Sequence, residues 1–161
     1  MFKSIPVIAA GFVLAGAAAS FAQCSDLSGQ NATNVVAERA YDLQSPGKTY
    51  DVTVGGTVNT NHCGIPNPGF LPLNATVRLD LGAAEGKEAM ITAESDCSET
   101  ILFVATPDFR EIATGNSAET LVAVHVPRSE IGNDQTILVF VGSANEGESC
   151  AGKVTFMTAR G

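Results

Sequence analysis

The chain predicts an all-β fold, an antiparallel β-sandwich of the jelly-roll kind. Three observations carry that expectation: runs of alternating apolar and polar residues, two short continuous apolar runs, and turn-forming clusters at intervals of roughly 10–20 residues. Eight or nine strands are expected, at 49–54, 56–60, 75–82, 88–95, 100–106, 109–113, 120–126, 135–142 and 153–159. In 76–81, Val77, Leu79 and Leu81 share one face, because successive strand side chains point to opposite sides. Val122, Val124 and Val126 form a second such face, and Val154, Phe156 and Thr158 a third. The runs Ile101–Ala105 and Ile137–Val141 are apolar throughout and rich in β-branched residues, which predicts central strands covered on both sides. Between the strands stand Gly55-Gly56, Asn67-Pro68-Gly69, Glu85-Gly86, Thr106-Pro107-Asp108, Gly115-Asn116, Gly132-Asn133 and Glu146-Gly147, all turn chemistry.

The front of the chain reads differently. Lys3, the apolar run Ile5–Ala19 and the small residues Ser20 and Ala22 predict a cleaved signal peptide at 1–22, with the mature chain starting at Gln23. The apolar run is short for a membrane span and diluted by small residues, so no span is expected after cleavage. A lipidated Cys24 would call for a small residue just before it, where Gln23 stands. Residues 23–48 read as an N-terminal arm. Within it, 31–45 reads either as an extended arm lying against the sandwich or as a single helical turn capped by Asn34, with Val35, Val36, Arg39, Ala40 and Leu43 partly on one face. The sandwich domain occupies 49–161, with no repeat and no second domain.

Composition narrows the function. The 161 residues carry 17 acidic and 9 basic side chains, a formal charge of −8. Nucleic acid, which asks for a basic surface, is therefore not an expected partner, nor is anionic lipid. Four cysteines, Cys24, Cys63, Cys97 and Cys150, all follow the signal segment. In an oxidising compartment they imply two disulfides, for which three pairings exist. Cys97–Cys150 with Cys24–Cys63 is the pairing we favour, since the first two flank regular strands and the others sit in the irregular front portion.

Metal and catalytic chemistry find little to work with. His62 and His125 are the only histidines. They show neither zinc spacing nor a copper set of Cys, His and Met. The bland reading puts His62 in a loop and His125 on the wet face of a strand. Asp96, Glu99, Asp108, Glu111, Asp134, Glu146 and Glu148 are carboxylates for a calcium site, but no EF-hand spacing joins them. There is no G-x-S-x-G elbow, phosphate loop or H-E-x-x-H motif. No cofactor, no metal and no catalytic residue is expected. Without tryptophan, and with Phe103, Phe140 and Phe156 in strand patterns, the chain also lacks an obvious aromatic platform for sugars.

From Leu79 to Ala159 the chain resembles the bacterial pre-peptidase C-terminal domain family. Leu79-Asp80-Leu81-Gly82 through Gly86-Lys87 is similar to that family's strand and glycine-hydrophilic turn, and 89–95 to the strand that follows. Thr100–Val104 with Thr106-Pro107-Asp108, then 136–143, then Gly152–Phe156 are similar to its later strands. The chain departs from the pattern at Gly115-Asn116-Ser117, where the family often carries paired Asp, and at Leu138 and Phe156, where it carries Tyr. The resemblance implies a small secreted β-sandwich, usually an accessory module of an exported enzyme.

The expected function is thus an exported, non-enzymatic module, periplasmic or secreted, that binds a protein partner or envelope component or has a structural role. A calcium-assisted adhesion or carbohydrate-binding domain is the alternative. The candidate binding residues are His62, Asn67, Phe70, Glu146 and Glu148, in two segments expected to lie outside the strand ladders.

Overall fold

The computed structural model describes Leu27 and residues 47–80, 88–119, 121–130 and 136–158. The expected signal peptide at 1–22, and the arm at 23–48 apart from Leu27, Gly47 and Lys48, lie outside the described residues. Ten strands follow in order: β1 (Lys48–Gly55), β2 (Val58–Asn59), β3 (Phe70–Leu71), β4 (Val77–Asp80), β5 (Ala89–Ser95), β6 (Thr100–Ala105), β7 (Glu111–Ser117), β8 (Leu121–Val126), β9 (Thr136–Ser143) and β10 (Ser149–Thr158). Among the described residues no helix is long and apolar enough to cross a membrane.

The strands form two antiparallel sheets. The first has the order β1-β10-β5-β8, and the second β2-β3-β9-β6-β7, with β4 also on β9. Strand β9 is the spine of the second sheet. Along one edge it pairs with β6. Along the other it meets Phe70 of β3 at Ser143 and β4 from Val139 to Thr136. Between β3 and β4 the chain leaves the ladder, and the Val141 N–H donates to the Thr76 hydroxyl at 2.9 Å. A fully buried side chain thus supplies the acceptor that a strand would have offered.

The main core lies between the sheets. Val77 and Leu79, the three valines of β8, and Val154 and Phe156 all face it, as the alternation predicts. The Tyr50 and Phe156 rings meet edge to face there, 5.9 Å apart. Strands β6 and β9 also carry a second cluster on their other side. Ile101, Phe103, Leu138 and Phe140 are buried there beneath Leu27 and Leu71, with Val58, Ile65 and Phe109 at the margin. Continuous apolar runs therefore did mark strands covered on both faces. Leu27, only 4% exposed, shows one point at which the front of the chain contributes to that cover.

Several boundaries differ from expectation, for local reasons. The segment around Phe70 was read as loop, but Phe70 and Leu71 add a two-residue strand that bridges β2 to β9. Gly115-Asn116 was read as a turn and lies inside β7, opposite Leu102 and Ile101. Gly115 serves close approach there: a Cβ would sit 3.0 Å from Val122 and 3.1 Å from Val124. β7 can therefore close the sandwich against β8. Gly152 likewise sits within β10, which begins at Ser149 rather than 153.

Thr76 gives a direct test of the spine. Replacing it with Val keeps the shape but strands the Val141 N–H, so Thr76→Val is expected to cost about 1–3 kcal/mol in denaturant unfolding. Thr92→Val, a half-buried threonine in β5, should stay within about 0.5 kcal/mol of wild type.

Candidate functional site

The two segments singled out from sequence spring from the same end of the second sheet, where Phe70 pairs with Ser143. The first is closed at its base by Thr60. Its hydroxyl donates to the Gly69 carbonyl at 2.9 Å and accepts from the Gly69 N–H at 2.8 Å. His62 is exposed on the turn above that clasp and Asn67 is half-buried. Phe70, expected in a loop, is a strand residue. In the second segment Glu146 is exposed at the tip. Among the described residues no hydrogen bond or ion pair joins His62 or Asn67 to Glu146 or Glu148.

Glu148 is not a free loop carboxylate. Its Oε1 accepts from the Ser98 N–H at 3.0 Å. Its Oε2 accepts from the hydroxyls of Ser98, at 3.1 Å, and Ser143. The Asn145 amide adds a long contact to Oε2 at 3.4 Å and donates to Ser98 Oγ at 2.6 Å. One carboxylate thus ties the end of β9, the turn before β10 and the loop after β5. Gly55, at φ 118°, lets β1 end against the Glu148 carbonyl, where a Cβ would collide. Beside this clasp Cys97 and Cys150 form a disulfide across 53 positions of sequence. Closure of that loop is worth about 4 kcal/mol in the chain-entropy account. Cys63 is also disulfide-bonded. Its expected partner, Cys24, lies outside the described residues. Among the described residues no cysteine is free.

A separate feature lies on the outer face of the first sheet. Strand order β1-β10-β5 sets Asp51 opposite Lys153, and Lys153 opposite Glu94. With Asp96 these side chains wall a cleft of about 500 Å³, floored by Ala151 and Gly152. None of the four charged groups forms an ion pair or side-chain hydrogen bond among the described residues. The neighbouring row is neutral: Thr49 pairs with Thr155, their hydroxyls 2.8 Å apart, and Thr155 with Thr92. Asp51, Lys153 and Glu94 were not singled out from sequence because each is an ordinary wet-face strand position, and Asp96 was named only as a loop carboxylate. Only the strand order brings them together.

Two of the other carboxylates weighed for calcium are engaged. Asp108 accepts from the Thr106 hydroxyl, and Glu99 from the Asn116 amide. Asp134 lies outside the described residues. Glu148 lies within 4.8 Å of both Cys97 and Cys150 sulfurs, but those sulfurs are bonded to each other and are not metal ligands. His125 occupies an exposed position on β8, as expected, with Nε2 3.0 Å from Glu88. In comparisons with known proteins, no protein-family model and no curated protein matches the chain.

The clasp makes Glu148 an acid-sensitive point. The Ser143 hydroxyl, then the Ser98 N–H, hold its carboxyl below the ordinary value of 4.5. Its contribution to stability is therefore complete above that value and is lost as pH falls through the lower folded value. Glu130, held down by Arg110, and Asp108, held down by Thr106, act in the same direction. Comparing wild type with Glu148→Gln isolates the one group. The gap between their melting temperatures is expected to stay level from neutral pH down to the ordinary value of 4.5 and to narrow only below it.

Proposed function

We propose that the chain is an exported, non-enzymatic binding module of the bacterial envelope or extracellular space. It takes a protein partner, or another envelope component, on the outer face of the β1-β10-β5-β8 sheet. The observation that carries this reading is the asymmetry of the sandwich. The second sheet is covered on both faces, whereas the first leaves Thr49, Asp51, Ala151, Lys153, Glu94 and Ala123 exposed on its outer side. The cleft there sets three carboxylates against one ammonium. Charge complementarity therefore favours a basic segment of the partner, with Lys or Arg side chains reaching Asp51 on one wall and Glu94 and Asp96 on the other. The disulfide fits an oxidising compartment outside the cytoplasm.

The choice of face shifts the test away from the loops. Glu148 is structural, so its loss would confuse binding with unfolding. Paired neutralisation, Asp51→Asn with Glu94→Gln, touches exposed side chains only, sets no like charges opposite Lys153, and should leave melting within a few degrees. Binding of a fluorescent Lys/Arg-rich decapeptide is expected to fall at least tenfold in that variant and to weaken with added salt. Equal binding by wild type and variant would reject the face. Sub-micromolar binding on a glycan array, or a large calcium-dependent rise in melting temperature, would instead support the adhesion or carbohydrate-binding alternative.

A further inference from the structure

We propose that Glu148 shields the Cys97–Cys150 disulfide from reduction by anionic thiols. Its carboxylate lies within 4.8 Å of both sulfurs. It is held there by Ser98, Ser143 and Asn145 rather than by a cation. Like any ordinary glutamate it is ionised at neutral pH, and these donors lower its carboxyl pKa further. Its negative charge therefore stands permanently beside the bond that a reducing agent must attack.

The chemistry of exchange shows where that charge acts. An external thiolate attacks Cys150 Sγ, on the more exposed of the two residues. A bond forms between the reagent sulfur and Cys150, the Cys97–Cys150 bond breaks, and its electron pair departs on Cys97 Sγ as a thiolate. A second reagent thiolate then attacks the reagent sulfur of this mixed disulfide. It releases the Cys150 thiolate and the oxidised reagent dimer, and solvent protonates both cysteines. Two electrons pass from two reagent thiols to the protein. Glu148 opposes the first step twice. It repels the incoming anion, and it disfavours the departing charge on Cys97. A second acceptor, the Val54 carbonyl oxygen, lies 4.0 Å from Cys97 Sγ. A thiolate with acceptors for neighbours is a poor leaving group.

A structural clasp alone would also slow reduction, by keeping the loops closed, so the test must read charge. Reduction of the full chain is followed at one pH with two reagents, quenched by alkylation, and mapped at Cys97 and Cys150. Glutathione attacks as a thiolate with net negative charge on the rest of the molecule. Cysteamine attacks as a thiolate balanced by an ammonium. Glu148→Gln is expected to speed glutathione by about fivefold, from the Coulomb interaction at this distance in a water-like medium, and cysteamine by about twofold or less. Ser98→Ala, which loosens the clasp but keeps the charge, should change both rates by one common factor. In wild-type protein, salt near 1 M shortens the screening length to about 3 Å. Because salt also screens the rest of the net charge of −8, it should raise the glutathione-to-cysteamine rate ratio more in wild type than in Glu148→Gln. A glutathione-to-cysteamine ratio unaffected by Glu148→Gln, or raised by salt equally in wild type and variant, would overturn the proposal.

Discussion

The constraint on which the architecture depends is the two-sided burial of β6 and β9. Their side chains are apolar on both faces, so neither face can be left to water. One face is satisfied by the first sheet. The other is covered among the described residues by the segment from Val58 to Ala75, together with Leu27 and, at the margin, Phe109 and Ala144. This explains why the front half of the domain is irregular. Strands β2 and β3 are only two residues long because their segment must cross over the outer face as well as join the edge of β9. Thr60 and Thr76 belong to the same solution. Each is buried, and each lends a hydroxyl to the backbone where the chain leaves the ladder.

That cover is stitched to the strands at one corner. There the ends of β1 and β9 and the start of β10 converge on Glu148 and the Cys97–Cys150 bond. The corner joins the two sheets, since β10 belongs to the first and β9 to the second. A covalent bond and a multiply bonded carboxylate placed together restrict the same loops by different means. The disulfide limits the unfolded chain, whereas the carboxylate orders the folded loops through directional bonds.

Most of the fold was legible in the sequence because alternation and burial are local signals. Val122, Val124 and Val126 announce an inward face without reference to any partner strand, and Ile137–Val141 announces two-sided burial in the same way. What escaped depends on neighbours. Gly115-Asn116 carries turn chemistry, yet β7 needs the missing Cβ to pass β8, and tertiary closeness overrode local preference. Phe70 and Leu71 form a strand only because β9 has a vacant edge beside them. The site was less legible for the same reason. Glu148 looks like any loop carboxylate until Ser98, fifty positions away, is folded against it. Asp51, Lys153 and Glu94 become one row only when β10 is known to lie between β1 and β5. The Cys97–Cys150 pairing was reachable because one cysteine follows β5 closely and the other stands at the start of β10, where a strand run was expected to begin.

An exposed sheet face poses a problem that the same row resolves. A broad face of threonine, alanine and methionine invites stacking against another sheet, which is a route to aggregation. Asp51, Lys153 and Glu94 interrupt it with charge on three adjacent strands. To bury the row against an apolar surface, a partner would have to desolvate three ions that form no ion pair among the described residues, a cost that few apolar contacts offset. A second copy of the chain meets additional opposition from the net charge of −8. A partner for this face must therefore bring its own charges in a matching arrangement. The side chains that keep the face soluble also determine what can dock there, so protection against stacking and selectivity follow from one set of residues.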